Sequence, residues 1–154
     1  VLEPHDPRPF GSLTELREAA AASHGPGVRR ARAAAALIRQ GAESRPETLL
    51  RLVCARAGLP EPECGAAVAD ARGSHIGWFD LVWRDFRTIA EYDGDQHRTS
   101  ARQYDRDITR FDLASDAAYR VIRVRSRGLF QTPSTTTERI RAALIVGGWS
   151  SIRR

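Results

Sequence analysis

The chain has 154 residues, 42% hydrophobic and 28% charged, with a formal net charge of +5 at pH 7, a size that suits one compact domain with an appendage and excludes two full ones. All 24 of its Lys+Arg residues are arginine, which excludes Schiff-base chemistry, a Walker-type phosphate lysine and a lysine general base. No apolar run approaches membrane length, and the start lacks the charged-then-apolar order of a signal peptide, so no membrane partner is expected.

Residues 1–43 are expected to form a linker and helical extension, and 44–154 the main domain. The lead-in from Glu3 to Gly11 carries Pro4, Pro7 and Pro9 and cannot be a helix interior. Ser12 to Ser23 reads as a first helix, with Ser12 as N-cap and Glu15 three residues on. Gly25-Pro26-Gly27 breaks it, and Val28 to Gln40 makes a second, alanine-rich helix. A third opens at Ser44, with Pro46 in its first turn, Glu47 at the capping-box position and Gly58 at its end. The period then changes: Ala66 to Ala71, His75 to Trp83 and Thr88 to Asp93 read as three strands. Ser100 to Ala118 returns to helix, Tyr119 to Val124 alternates as a strand, and Ser134 to Val146 closes the chain as a helix. This order predicts an α/β or α+β layer on a small mixed sheet, preceded by a helical extension.

Charge is unevenly spread. Residues 1–97 hold 12 arginines against 14 acids, whereas 98–154 hold 12 against 5. A basic C-terminal third suits a phosphate-backbone partner, although a solvated arginine-rich surface gives the same count. Cys54 and Cys64 have neither zinc-site spacing nor the number of a disulfide framework, so both are read as reduced and the protein as cytoplasmic.

The most informative stretch runs from Trp78 to His97. With Arg84-Asp85-Phe86-Arg87 as a four-residue loop, Trp83 pairs with Thr88 and Asp80 lies opposite Glu91. Two carboxylates placed so reach one hard cation, Mg²⁺ or Mn²⁺. Asp93, two residues beyond Glu91, points to the same face, though Asp93-Gly94 is also a turn pair. His97 is positioned to act as acid, base or phosphate contact. The alternative is that Asp80 and Glu91 are strand residues paired with Arg84, Arg87 or Arg98; the apolar neighbours Phe79, Leu81, Val82, Ile89 and Ala90 argue for burial instead. Gln103, Asp107 and Arg110 share one helix face, so Arg110 either grips a phosphate or pairs with Asp107. Arg120, Arg123, Arg125 and Arg127 cluster around a strand end, as a DNA-backbone rail or a solvated edge. Trp78, Trp83, Phe86 and Tyr92 are read as core residues rather than base-stacking platforms.

A helix with Glu47, a strand with Asp80, a strand with Glu91-Tyr92-Asp93-Gly94-Asp95-Gln96-His97, a basic helix and Tyr119-Arg120-Val121-Ile122-Arg123-Val124 together resemble the very-short-patch-repair-like endonuclease domains of the PD-(D/E)xK superfamily, over about residues 41–144. The nearest likeness is to actinobacterial endonuclease-like domains of unassigned function, often preceded by an AbiEi-type antitoxin segment. The resemblance implies a restriction-endonuclease-like core and a metal-dependent endodeoxyribonuclease in DNA repair or foreign-DNA defence. By it, Asp80 and Glu91 would bind the metal, and Glu47 matches an acid on the first core helix; Glu47 equally fits a plain capping box. Asp93 falls where the superfamily has its lysine, and His97, Arg110 or a second ion would fill that role. The alternative is a non-catalytic DNA-binding or toxin–antitoxin regulatory module of the same fold. Beginning at Val1 without methionine, the chain is expected to be part of a longer protein with an upstream domain.

Overall fold

The structure, a computed structural model, describes residues 11–94 and 101–150, with side chains excluded for 101–107. Most of the expected proline-rich lead-in, His97, and the side chains of Gln103 and Asp107 therefore lie outside the described residues. The chain divides into two compact units, residues 1–39 and 40–154. The boundary falls slightly before the expected one because Gly41 belongs structurally with the strands. A Cβ at Gly41 would run into the Cys64 carbonyl oxygen, and one at Gly65 into that of Gly41.

Within the first unit, α1 (Leu13–Ala22) opens with the expected capping box: Glu15 N–H donates to Ser12 Oγ and Ser12 N–H to Glu15 Oε2. Helix α2 (Val28–Leu37) starts after Gly27, and its Arg32 donates to the Ala20, Ala21 and Ser23 carbonyls, satisfying the open C-terminus of α1.

The second unit is a mixed α+β fold: a four-stranded sheet with helices on both faces. Helix α3 (Arg45–Arg56) leads into β1 (Glu63–Ala69), β2 (His75–Trp83) and β3 (Thr88–Tyr92), an antiparallel meander. Helix α4 (Ala101–Asp116) crosses over to β4 (Arg120–Val124), which lies parallel to β3. Helices α5 (Ser126–Phe130) and α6 (Pro133–Val146) end the described chain. Strand order follows chain order, β1-β2-β3-β4. One core layer joins Leu50 and Cys54 of α3 and Ile140 and Leu144 of α6 to Leu81, Trp83, Ala90, Ile122 and Val124 of the sheet. The other packs Phe111 and Ala114 of α4 against Val68, Phe79, Val82 and Ile89.

Most element ends fall within a few residues of the expected ones; β1 and α5 depart furthest. β1 begins at Glu63 and stops at Ala69, because the Asp70 carboxylate accepts the N–H groups of Arg72 and Ser74 (2.8 Å each) and turns the chain. The five-residue α5 was not expected; it is too short for a periodic signature, and only Leu129 reaches the core. The hairpin register agrees with expectation: Trp83 pairs with Thr88, Val82 with Ile89 and Leu81 with Ala90. A 3₁₀ turn over Arg84–Phe86 and left-handed Arg87 (φ 45°) close the loop.

Candidate functional site

The β2–β3 ladder ends at Leu81 and Ala90, one step before Asp80 and Glu91. From there the carboxylates replace the ladder. The Asp80 N–H donates to Glu91 Oε2 (3.0 Å), and the Tyr92 N–H donates to Asp80 Oδ2 (2.7 Å). Each acid thus satisfies a backbone donor of the opposite strand, which is why two buried-strand charges are tolerated where the strands part.

A break in side-chain alternation lies at the same point. Leu81 packs in the α3/α6 layer and Phe79 in the α4 layer, although residues two apart on a regular strand share a face. Gly65, opposite Asp80 by register, is left-handed (φ +53°) and unpaired between Cys64↔Leu81 and Ala66↔Phe79. The break moves Trp78 off the α4 face. That face is taken by Phe79 and by Gly77, whose missing Cβ leaves room for the Arg110 stem. Trp78 is consequently 63% exposed rather than in the core as expected, whereas Trp83 is buried and donates to the Pro60 carbonyl (2.7 Å). Phe86 and Tyr92 are partly buried against the core, as expected.

A cavity of about 350 Å³ opens at this split. Glu43, Glu47, Asp80, Glu91 and Asp93 line it, against two cations, Arg110 and Arg123. Glu91 is 8% exposed, and its Oε1 pairs with Arg110 Nη2 at 2.6 Å. Arg110 also donates through Nη1 to the Trp78 carbonyl, and its guanidinium lies 4.6 Å from the Phe79 ring centre and 5.0 Å from that of Phe111. Arg110, expected to meet a phosphate or Asp107, is tied to Glu91 among the described residues. The sequence could not indicate this, because the two residues are far apart in the chain and meet only through the crossover.

Burial pushes the Asp80 carboxyl up from 3.8 to about 7, and the Glu91 charge and that of Glu47 push in the same direction. The Tyr92 N–H and Arg110 act against this without offsetting it. Among the described residues, five carboxylates line the cavity against two arginines. Glu47 forms only half of the expected capping box, because its carboxylate is bonded one residue before the N-cap. Its N–H donates to Ser44 Oγ (3.4 Å), while its Oε2 accepts from the Glu43 N–H (2.7 Å), and it lines the cavity.

The remaining site residues are placed unequally. Asp93 lines the cavity but pairs with Arg123 (2.8 Å) and Arg125 (3.5 Å). Arg123 and Arg125 thus share a side, as expected, and Arg123 also lies over Phe111 (5.1 Å). Arg120 starts β4 opposite Thr88, at the other end of the strand from Asp93, and Arg127 is exposed on α5. These two stand apart from the cavity group. Arg84 pairs with Glu63 and Arg87 lies over Tyr119, so neither neutralises Asp80 or Glu91.

Among the described residues, no three His, Cys, Asp or Glu side chains converge tightly enough to enclose a metal ion. A two-carboxylate set nevertheless fits Mg²⁺, which keeps several waters and is held by one or two carboxylates plus substrate phosphates. Asp80 Oδ1 and Glu47 Oε1 accept no hydrogen bond among the described residues, which leaves oxygen ligands available beside Glu91. Neither cysteine is in a disulfide; burial pushes the Cys54 thiol up to about 12, making it inert. No described helix is long and apolar enough to cross a membrane. Comparison with protein-family models, curated proteins and solved structures finds no match in any of the three.

Proposed function

We propose that the chain is a metal-dependent deoxyribonuclease that hydrolyses phosphodiester bonds at the Asp80–Glu91 cavity. The observation that carries this reading is the facing pair of carboxylates at a strand split, in a cavity with five acids against two arginines. Asp80 and Glu91 would hold Mg²⁺ or Mn²⁺, with Glu47 close enough to contribute. The ion, when bound, polarises the scissile phosphate and acidifies a water. The chain's own groups do the rest. Arg110 holds Glu91 in place from the α4 side. Arg123 and Arg125 neutralise Asp93, and Arg123 borders the cavity, where a phosphodiester would lie. His97 is assigned the proton transfer that the absent lysine cannot perform.

One observation favours a second reading, a DNA-binding or regulatory module without cleavage. Asp93, where the resembled superfamily has lysine, is already bound to two arginines. Supercoiled-plasmid nicking separates the two. The nuclease reading expects nicking in Mg²⁺ or Mn²⁺, none in EDTA, and a loss of roughly a hundredfold or more in Asp80→Ala and Glu91→Ala. Salt-sensitive DNA binding without any nicking would assign the second reading.

A further inference from the structure

Trp78 is the most exposed of the three tryptophans, at 63%, and it borders the same cavity as Asp80 and Glu91. Its position is built. Its carbonyl is held by Arg110, and its ring meets His75 edge-on, with centroids 6.3 Å apart and planes at 63°. It stands two residues from Asp80, roughly 6–7 Å along an extended strand. An indole left in water beside a hydrophilic cavity has one ready use, an aromatic partner for a flat ligand group. The opposite flank carries Arg123, 41% exposed and able to meet a phosphate.

We propose that Trp78 is a nucleobase-stacking site, and that the strand entering the cavity is unpaired there, so that single-stranded or locally opened DNA is the preferred substrate. This rests on the nuclease reading and narrows its substrate. In a duplex, both faces of each interior base are already stacked, so a base reaches the Trp78 ring only after leaving the stack. Stacking needs no particular base, because every base has a π-face, so the site selects strand state and not sequence. The phosphate on the 3′ or 5′ side of the stacked base then lies within reach of the carboxylates and of Arg123. A cationic ligand is the competing occupant, since an indole beside carboxylates also suits a quaternary ammonium or guanidinium. The basic character of residues 98–154 argues against it.

The test uses the full chain in Ca²⁺, with gels verifying that the oligonucleotide stays intact. Labelled oligo(dT) and a blunt hairpin duplex are titrated by anisotropy, and tryptophan emission is followed in parallel. The expected result is tighter binding of oligo(dT), quenching of emission, and binding about 5- to 100-fold weaker in Trp78→Ala, with Trp78→Phe recovering most of it. Being so exposed, Trp78 can be replaced without disturbing the core, and Trp149→Phe serves as a control in which quenching persists. Equal oligo(dT) binding by wild type and Trp78→Ala, with plasmid nicking intact, overturns the stacking site and leaves the nuclease reading standing. Absence of both DNA binding and nicking overturns the nuclease reading and this inference with it. Quenching by an arginine-rich peptide but not by DNA assigns Trp78 to a cation site instead.

Discussion

Asp80 carries the least comfortable charge described in the protein, and its discomfort has a measurable pH dependence. A carboxyl that holds its proton more tightly folded than unfolded favours folding at low pH; that contribution is lost as pH rises from about 4 through about 7. A rise from 3.8 to about 7 corresponds to at most roughly 4 kcal/mol, less where water enters the cavity. Asp80→Asn, which keeps an oxygen for the Tyr92 N–H, should therefore raise the melting temperature at pH 8 and lose that advantage near pH 4. A variant no more stable than wild type at pH 8 would show that Asp80 is not strained. Removing Arg110 should act in the opposite direction. Arg110→Gln leaves the buried Glu91 charge without its 2.6 Å partner and should cost about 3 kcal/mol in urea unfolding. None of this is legible from residue types alone. Asp80 and Glu91 could be singled out because charges among Phe79, Leu81, Val82, Ile89 and Ala90 need a reason, but the arginine that answers Glu91 lies on α4, outside any local pattern.

The hairpin was legible because its loop length sets its register, and the register brings the acids together. The break in alternation at Asp80 was not, since it depends on Gly65 in the neighbouring strand. Residue type alone placed Trp78 in the core with the other aromatics, whereas the break turns it outward. The close approach of Gly41 and Gly65 ties the entry to α3, with Glu43 and Glu47, to the strand beside Asp80. Gly65→Ala would need a left-handed alanine and would drive its Cβ into the Gly41 backbone; a loss of about 2–4 kcal/mol is expected. Gly73 is also left-handed (φ +84°) but has open space around it, so Gly73→Ala should cost only about 1 kcal/mol. Equal losses at the two glycines in chemical denaturation would mean that the backbone contact contributes nothing.

For the molecule as a whole, both hydrophobic clusters are built from residues of the second unit. A fragment spanning 40–154 should therefore unfold cooperatively and keep its response to divalent ions; a fragment without a cooperative transition would contradict this division. The charge asymmetry seen in the sequence has a structural counterpart. The acids that line the cavity come from α3 and the turn before it, from β2, and from β3 and the residue after it, while β4 and α4 bring the arginines that border it. Lysine is absent throughout, and the cationic side chains that line the cavity among the described residues are arginines. A metal-dependent site here requires one ion to bridge the two strand acids. Anomalous diffraction from a crystal soaked in Mn²⁺ tests this directly: a single Mn²⁺ peak within coordination distance of both Asp80 and Glu91 is predicted. A crystal in which Mn²⁺ binds elsewhere, or in which Arg110 still holds Glu91 and the cavity contains only water, would contradict it.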